Sequence, residues 1–138
     1  MNTLGVMHKM HKHELNDLVY SLKELEVKKN SAQDMISQIL AQTKLETDKY
    51  QGGQYSSILA SYLKQQDDNV KMHKSKIQEL EVLIQNLQEE IGEKFAEIKK
   101  LELLIKNKDL KAKQELDKLE SSAQDEMSSQ AMFRSAQN

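Results

Sequence analysis

The side chains able to do chemistry in this chain are few and scattered. Histidines stand only at positions 8, 11, 13 and 73, and there is no cysteine. His8 and His11 are spaced to share one face of a helix. Imidazoles grouped in this way can ligate a transition metal. Nothing around them builds a pocket, however, and a solvent-exposed, flexible N-terminal segment accounts for them without a metal. Gly52-Gly53 lacks both the lysine and the strand-to-helix context of a phosphate loop. Asp and Glu alternate with Lys as on a solvated helix face, and no spacing specifies a Ser-His-Asp arrangement. The expectation is a chain that is not an enzyme and uses no cofactor or metal.

Composition points the same way. The chain has 138 residues, 30% of them charged, a formal net charge of -2 and only 4% aromatics. Leu, Ile and Met set among Lys, Glu, Gln and Asp are the mixture of a coiled coil or long helix. A single domain is expected at this length. Without cysteine there is no disulfide framework, which fits a reducing compartment. The near-neutral charge argues against nucleic acid as a partner, because phosphate binding needs clustered cations. Lys9 and Lys12 are not followed by the apolar region of a secretory signal. No run approaches the ~18 apolar residues of a membrane span, so direct membrane insertion is not expected.

Two elements must position whatever this chain presents. From Leu15 the apolar residues alternate by three and four through Leu18, Leu22 and Leu25. The register continues through Lys29, Ala32, Ile36, Ile39, Thr43 and Glu46 to Tyr50, an a/d seam with polar interruptions. This predicts a first helix over about 10–50, starting between Val6 and Glu14. The stem of Lys29 can cover the seam while its ammonium reaches water. A second stripe runs through Ile77, Leu80, Ile84, Leu87 and Ile91. Lys94 interrupts it before Ile98, Leu101 and Ile105. The phase then slips and resumes at Ala112, Leu116, Leu119, Ala123 and Met127. This predicts a second helix over about 55–131 with flexible ends.

Between the stripes lies Tyr50-Gln51-Gly52-Gly53-Gln54. Each internal glycine opposes helix by about 1 kcal/mol, and a glycine pair admits the left-handed angles that reverse a chain. The turn is therefore placed at 51–54, on Gly52 and Gly53. A competing corner at Gln65–Asn69 has the cluster Asp67-Asp68-Asn69 but interrupts spacing that is already helical. The expected fold is all-α, a long antiparallel two-helix coiled-coil hairpin with unequal arms. At 1.5 Å per residue, arms of about 40 and 75 residues reach roughly 60 and 110 Å. The first arm should run out opposite Phe95, leaving Ile98 onward without an internal mate. An unpaired amphipathic helix needs a partner. Tyr50, Tyr55 and Tyr62 bracket the turn, either covering the open end of the coil or forming a docking patch.

The order of these features resembles the flagellar export protein FliJ family, the stalk proteins of type III export ATPases. The residues carrying the resemblance are Tyr55-Ser-Ser-Ile58-Leu59-Ala-Ser-Tyr62-Leu63, the Gln- and Leu-rich run from Ile77 to Leu87, and Leu116-Asp117-Lys118-Leu119-Glu120. Asp125-Glu126 and the tail Met132-Phe133-Arg134 complete it. The family's Phe-rich basic start is replaced here by Met1-Asn-Thr-Leu-Gly-Val-Met-His-Lys-Met. The resemblance implies a soluble, cytoplasmic component, peripheral to the export apparatus at the inner membrane and monomeric when free. It implies a hexameric flagellar export ATPase as partner, touched through Leu15, Leu18, Leu22, Leu116, Leu119, Met127, Phe133 and Arg134. It further implies a membrane export-gate protein touched through Tyr62, Gln66, Asn69 and His73, and export chaperones as additional partners. Readings that stay open are the stalk of a virulence type III system and a generic oligomeric coiled-coil scaffold. The scaffold would self-associate in parallel through the Ile77–Ile105 stripe.

Overall fold

The structure, a computed structural model, describes residues 2–137. Among them it contains two helices, α1 (Thr3–Tyr50) and α2 (Ser56–Gln137), of 48 and 82 residues. The fold is all-α, an antiparallel helical hairpin with unequal arms. No helix among the described residues is long and apolar enough to cross a membrane.

The first helix starts well before the expected position near 10. The cause is local. The side-chain oxygen of Asn2 accepts the Gly5 amide at 3.2 Å, and its carbonyl accepts the Val6 amide at 3.1 Å. Asn2 is thus an N-cap that satisfies donors otherwise left open at a helix start. At the other end the helix closes where the glycines stand. The Gln51 amide makes a last helical bond to Thr47 at 2.9 Å, and the Gly53 amide turns back to the Tyr50 carbonyl at 3.4 Å. Gly52 sits at φ 76°, in the left-handed region that a Cβ disfavours. The competing corner at Gln65–Asn69 lies inside α2. The second helix also passes the expected end near 131 and continues to Gln137.

The chain divides into two compact units, His13–Phe95 and Met1–Lys12 with Ala96–Asn138. In the unit His13–Phe95 the α1 seam from Leu15 to Tyr50 is half-buried at every expected position but Ala32, which is buried. On α2 the matching positions run from Leu59 through Leu63, Gln66, Val70 and His73 to Lys94, with Val70 and Leu80 buried. Glu14 meets Lys94 at 2.6 Å and Lys29 meets Glu81 at 3.4 Å. Moving forward on α1 therefore moves the partner backward on α2. Carried through the seam, this antiparallel register sets Leu18 opposite Ile91, Leu25 opposite Ile84 and Ala32 opposite Ile77. The two seam lysines do more than reach water: each ammonium crosses to a carboxylate on the facing helix. Such half-exposed pairs contribute only about 0–1 kcal/mol, but they oppose a slipped register, which would leave the lysines against Leu and Ile.

The unit Met1–Lys12 with Ala96–Asn138 corrects the expectation about Ile98. That residue is the most buried of the core residues, 3% exposed, and Leu101 is also buried, at 8%. Because α1 opens at Thr3, its seam continues through His11, His8 and Leu4, all half-buried, in the same steps of three and four. These positions cover α2 as far as Ile105. Beyond it, every side chain described from Lys106 to Ala136 is exposed.

Candidate functional site

The histidines fall into two environments. His8 Nε2 lies 3.1 Å from Glu102 Oε1, and His11 Nδ1 lies 3.4 Å from Glu97 Oε2. Both imidazoles are half-buried on the seam, contrary to the expected exposed and flexible segment. His13, by contrast, is exposed and 3.7 Å from Asp17. The hydrogen bond from His8, aided by the Lys99 ammonium at 3.4 Å, holds the Glu102 carboxyl below the usual carboxylate range. On the surface of α2, Asp67 lies 3.0 Å from Lys71 and raises its pKa, mainly through their hydrogen bond. Among the described residues no group of three His, Asp or Glu side chains is placed to hold a metal ion. The His8 and His11 pairs cross between the helices, whereas the His13 and Lys71 pairs lie within one helix.

Two surfaces among the described residues bear on the expected contacts. The first lies beside the turn, in the unit His13–Phe95. Glu46, Tyr50, Tyr55, Ile58, Leu59 and Tyr62 line an open hollow of about 400 Å³. Tyr50 and Tyr55 meet edge to face with ring centroids 5.9 Å apart, and Lys49 Nζ stands 5.2 Å from the Tyr50 centroid. An edge-to-face pair is a favoured aromatic geometry and fixes both rings. One wall of the hollow, Tyr55 and Ile58, stays 48% and 66% exposed. The tyrosines thus form an apolar recess at the turn, with Glu46 at its edge.

The second surface is the uncovered length of α2, in the unit that contains Ala96–Asn138. Leu116, Leu119, Met127 and Phe133 are more than half exposed, and Arg134 stands in the last turn of the helix.

The residues expected to touch an ATPase therefore divide. Leu116, Leu119, Met127, Phe133 and Arg134 are available on the surface. Leu15, Leu18 and Leu22 are half-buried in the seam against α2, so most of their apolar area is already used inside the hairpin. The four residues expected at an export gate also differ. Tyr62 lines the hollow. Gln66 and His73 occupy seam positions, and Asn69 donates a long hydrogen bond of 3.5 Å to Gln66. Among these four, only Tyr62 contributes to the aromatic recess, where Tyr55 and Ile58 are the more exposed neighbours.

The cross-helix pairs at Glu14–Lys94, Lys29–Glu81, His11–Glu97 and His8–Glu102 were not anticipated. The signal was present: stepping backward from Leu15 by four, three and four lands on His11, His8 and Leu4. Comparison with protein-family models, curated proteins and solved structures finds no match to this chain.

Proposed function

We propose that this chain is a non-enzymatic stalk-type component of a flagellar type III export apparatus. It engages the hexameric export ATPase, promotes its assembly or turnover, and links it to the membrane export gate. The observation that carries the reading is the apolar face of α2 beyond Ile105, exposed after the first helix has ended. A hairpin with a long uncovered arm suits insertion of that arm into a ring. Leu116, Leu119, Met127 and Phe133 supply the apolar anchors and Arg134 the terminal cation. Apolar and Arg anchors of this kind dominate interfaces when they enter pockets. The aromatic recess at Tyr50, Tyr55 and Tyr62 is the second contact, assigned here to the export gate.

The mechanism is mechanical and requires no bond-making on this chain. A helix inside a ring couples subunits in different nucleotide states only if it contacts those states unequally. Export chaperones are further partners in this reading, and the site of action is cytoplasmic, peripheral to the inner membrane. Steady-state hydrolysis by a matched export ATPase tests it. Added chain raises turnover, the chain alone hydrolyses nothing, and a Leu119→Lys, Phe133→Lys variant loses most of the stimulation while keeping its helix content. Stimulation unchanged in that folded variant removes the arm as the contact. A chain that neither binds nor alters the ATPase ends the stalk reading.

A further inference from the structure

The exposed arm continues a surface that the hairpin already uses. At 100° per residue, Ile98, Leu101 and Ile105 share an arc of about 80° with Ala112, Leu116, Leu119, Ala123 and Met127. The first three are covered by α1, and the last five are exposed. Ala112 lies one heptad beyond Ile105, so the slip expected at that point does not occur, and the same helix face changes from core to surface with its apolar spacing kept.

Its charges are also ordered. From 106 to 113 there are four lysines against Asp109 alone. From 115 to 126 there are five carboxylates against Lys118 alone. The sign reverses near Leu116, in the middle of the exposed stripe. Such a segment is complementary to itself in one orientation only. A parallel copy sets lysines against lysines, and an antiparallel copy sets each basic half against an acidic half.

We propose that a second copy of this chain covers this face, antiparallel, about a two-fold axis near Leu116. The two Leu116 side chains meet at the axis, and Ala112 of each copy faces Leu119 of the other. On the flanks Lys113 approaches Glu120 of the second copy, and Lys108 approaches Glu126. This is an isologous contact, closed by its own symmetry. It uses the device that sets register inside the hairpin, where Lys94 crosses to Glu14 and Lys29 to Glu81. The covered length, from 106 to 127, is about 33 Å. With two alanines in a narrow stripe, the association is concentration-dependent and weakened by salt. It replaces the expected free monomer and does not depend on the proposed ATPase. The stripe is shared with the proposed ring contact, so a self-paired arm must separate before it enters a ring.

Sedimentation equilibrium of the full chain, without any ATPase, tests the proposal. The mass rises with concentration from 15.9 kDa toward twice that value, and less steeply at high salt. Lys108→Glu with Lys113→Glu weakens association by about tenfold or more, since each change acts at both symmetric flanks. Adding Glu120→Lys and Glu126→Lys to that variant restores it. Orientation is read from spin labels on Asn107→Cys and Gln124→Cys, with no native cysteine to interfere. Label 107 lies near label 124 of the other copy and far from its own counterpart. A mass constant at 15.9 kDa at all concentrations overturns the proposal. So does indifference to the charge reversals, or close approach of the two 107 labels. None of these results bears on ATPase stimulation, which is measured separately.

Discussion

Residues 77–105 and 106–136 of α2 use the same residue types at closely similar spacing, yet one stretch is core and the other is surface. Leu80, Ile98 and Leu101 are 6%, 3% and 8% exposed, whereas Leu116 and Leu119 are 56% and 68% exposed. No local property of the second helix accounts for the change. What differs is the facing helix, which α1 supplies up to Leu4 and does not supply further. Burial in this chain is a property of pairing more than of composition. The arm should therefore tolerate substitutions in the free hairpin that the paired stretch does not.

Denaturant unfolding measures that difference most directly. Ile98→Ala is expected to destabilise the hairpin by about 2–3 kcal/mol, near the low end for a core aliphatic because a two-helix seam can partly collapse around the gap. The matched change Leu119→Ala, at low protein concentration, should stay within about 0.5 kcal/mol. Equal losses at the two sites would mean that the arm is also packed inside a single chain. A second test addresses the turn that makes pairing possible. Gly52→Ala places a Cβ in open space but at positive φ, so its effect is conformational, about 1–2 kcal/mol. Gly53→Ala, whose Cβ would meet only Tyr50 O at 3.6 Å and which has no positive φ, should cost less.

Smaller effects concern the polar members of the seam. Lys94→Leu should raise the unfolding midpoint. It gives up a pair worth about 0–1 kcal/mol and adds apolar burial worth about 1.5 kcal/mol or more at a half-buried site. A lowered midpoint would show that the Glu14 pair matters beyond register. The smallest expected effect depends on pH. The Glu102 carboxyl has a lowered pKa in the fold, so its contribution is present above the ordinary carboxylate range and is lost as pH falls through the depressed value. His8→Gln removes the main cause and should flatten this acid-side slope in unfolding measurements. An unchanged slope would assign the acid sensitivity to other carboxylates.

Most of the fold was legible because the seam is strict. Leu15 to Tyr50 and Ile77 to Ile105 keep their steps of three and four, and two glycines mark the reversal. The N-terminal turns were harder to read. His8 and His11 occupy seam positions but do not register as apolar, so the apolar stripe begins at Leu15. Misplacing that start also left Ile98 and Leu101 unpaired. Asn2, a strong capping residue three positions before Gly5, was the available correction. The candidate contacts were less legible than the core. Leu15, Leu18 and Leu22 are apolar for the sake of the hairpin, while Leu119 is apolar without an internal mate, and spacing alone does not separate the two. Only the length of α1 does.

That length makes the first helix a ruler. Its N-terminal cap fixes the point along α2 where covered surface gives way to exposed surface. A heptad inserted between Asn2 and Leu15 in the same seam phase would cover about seven more residues of the second helix. It would bring Ala112 into the interior and shorten the free arm by about 10 Å. Deleting a heptad there would expose Leu101 and Ile105 and lengthen the arm equally. The reach of the contact surface on α2 can therefore be reset from the other end of the sequence without altering any residue of the surface itself.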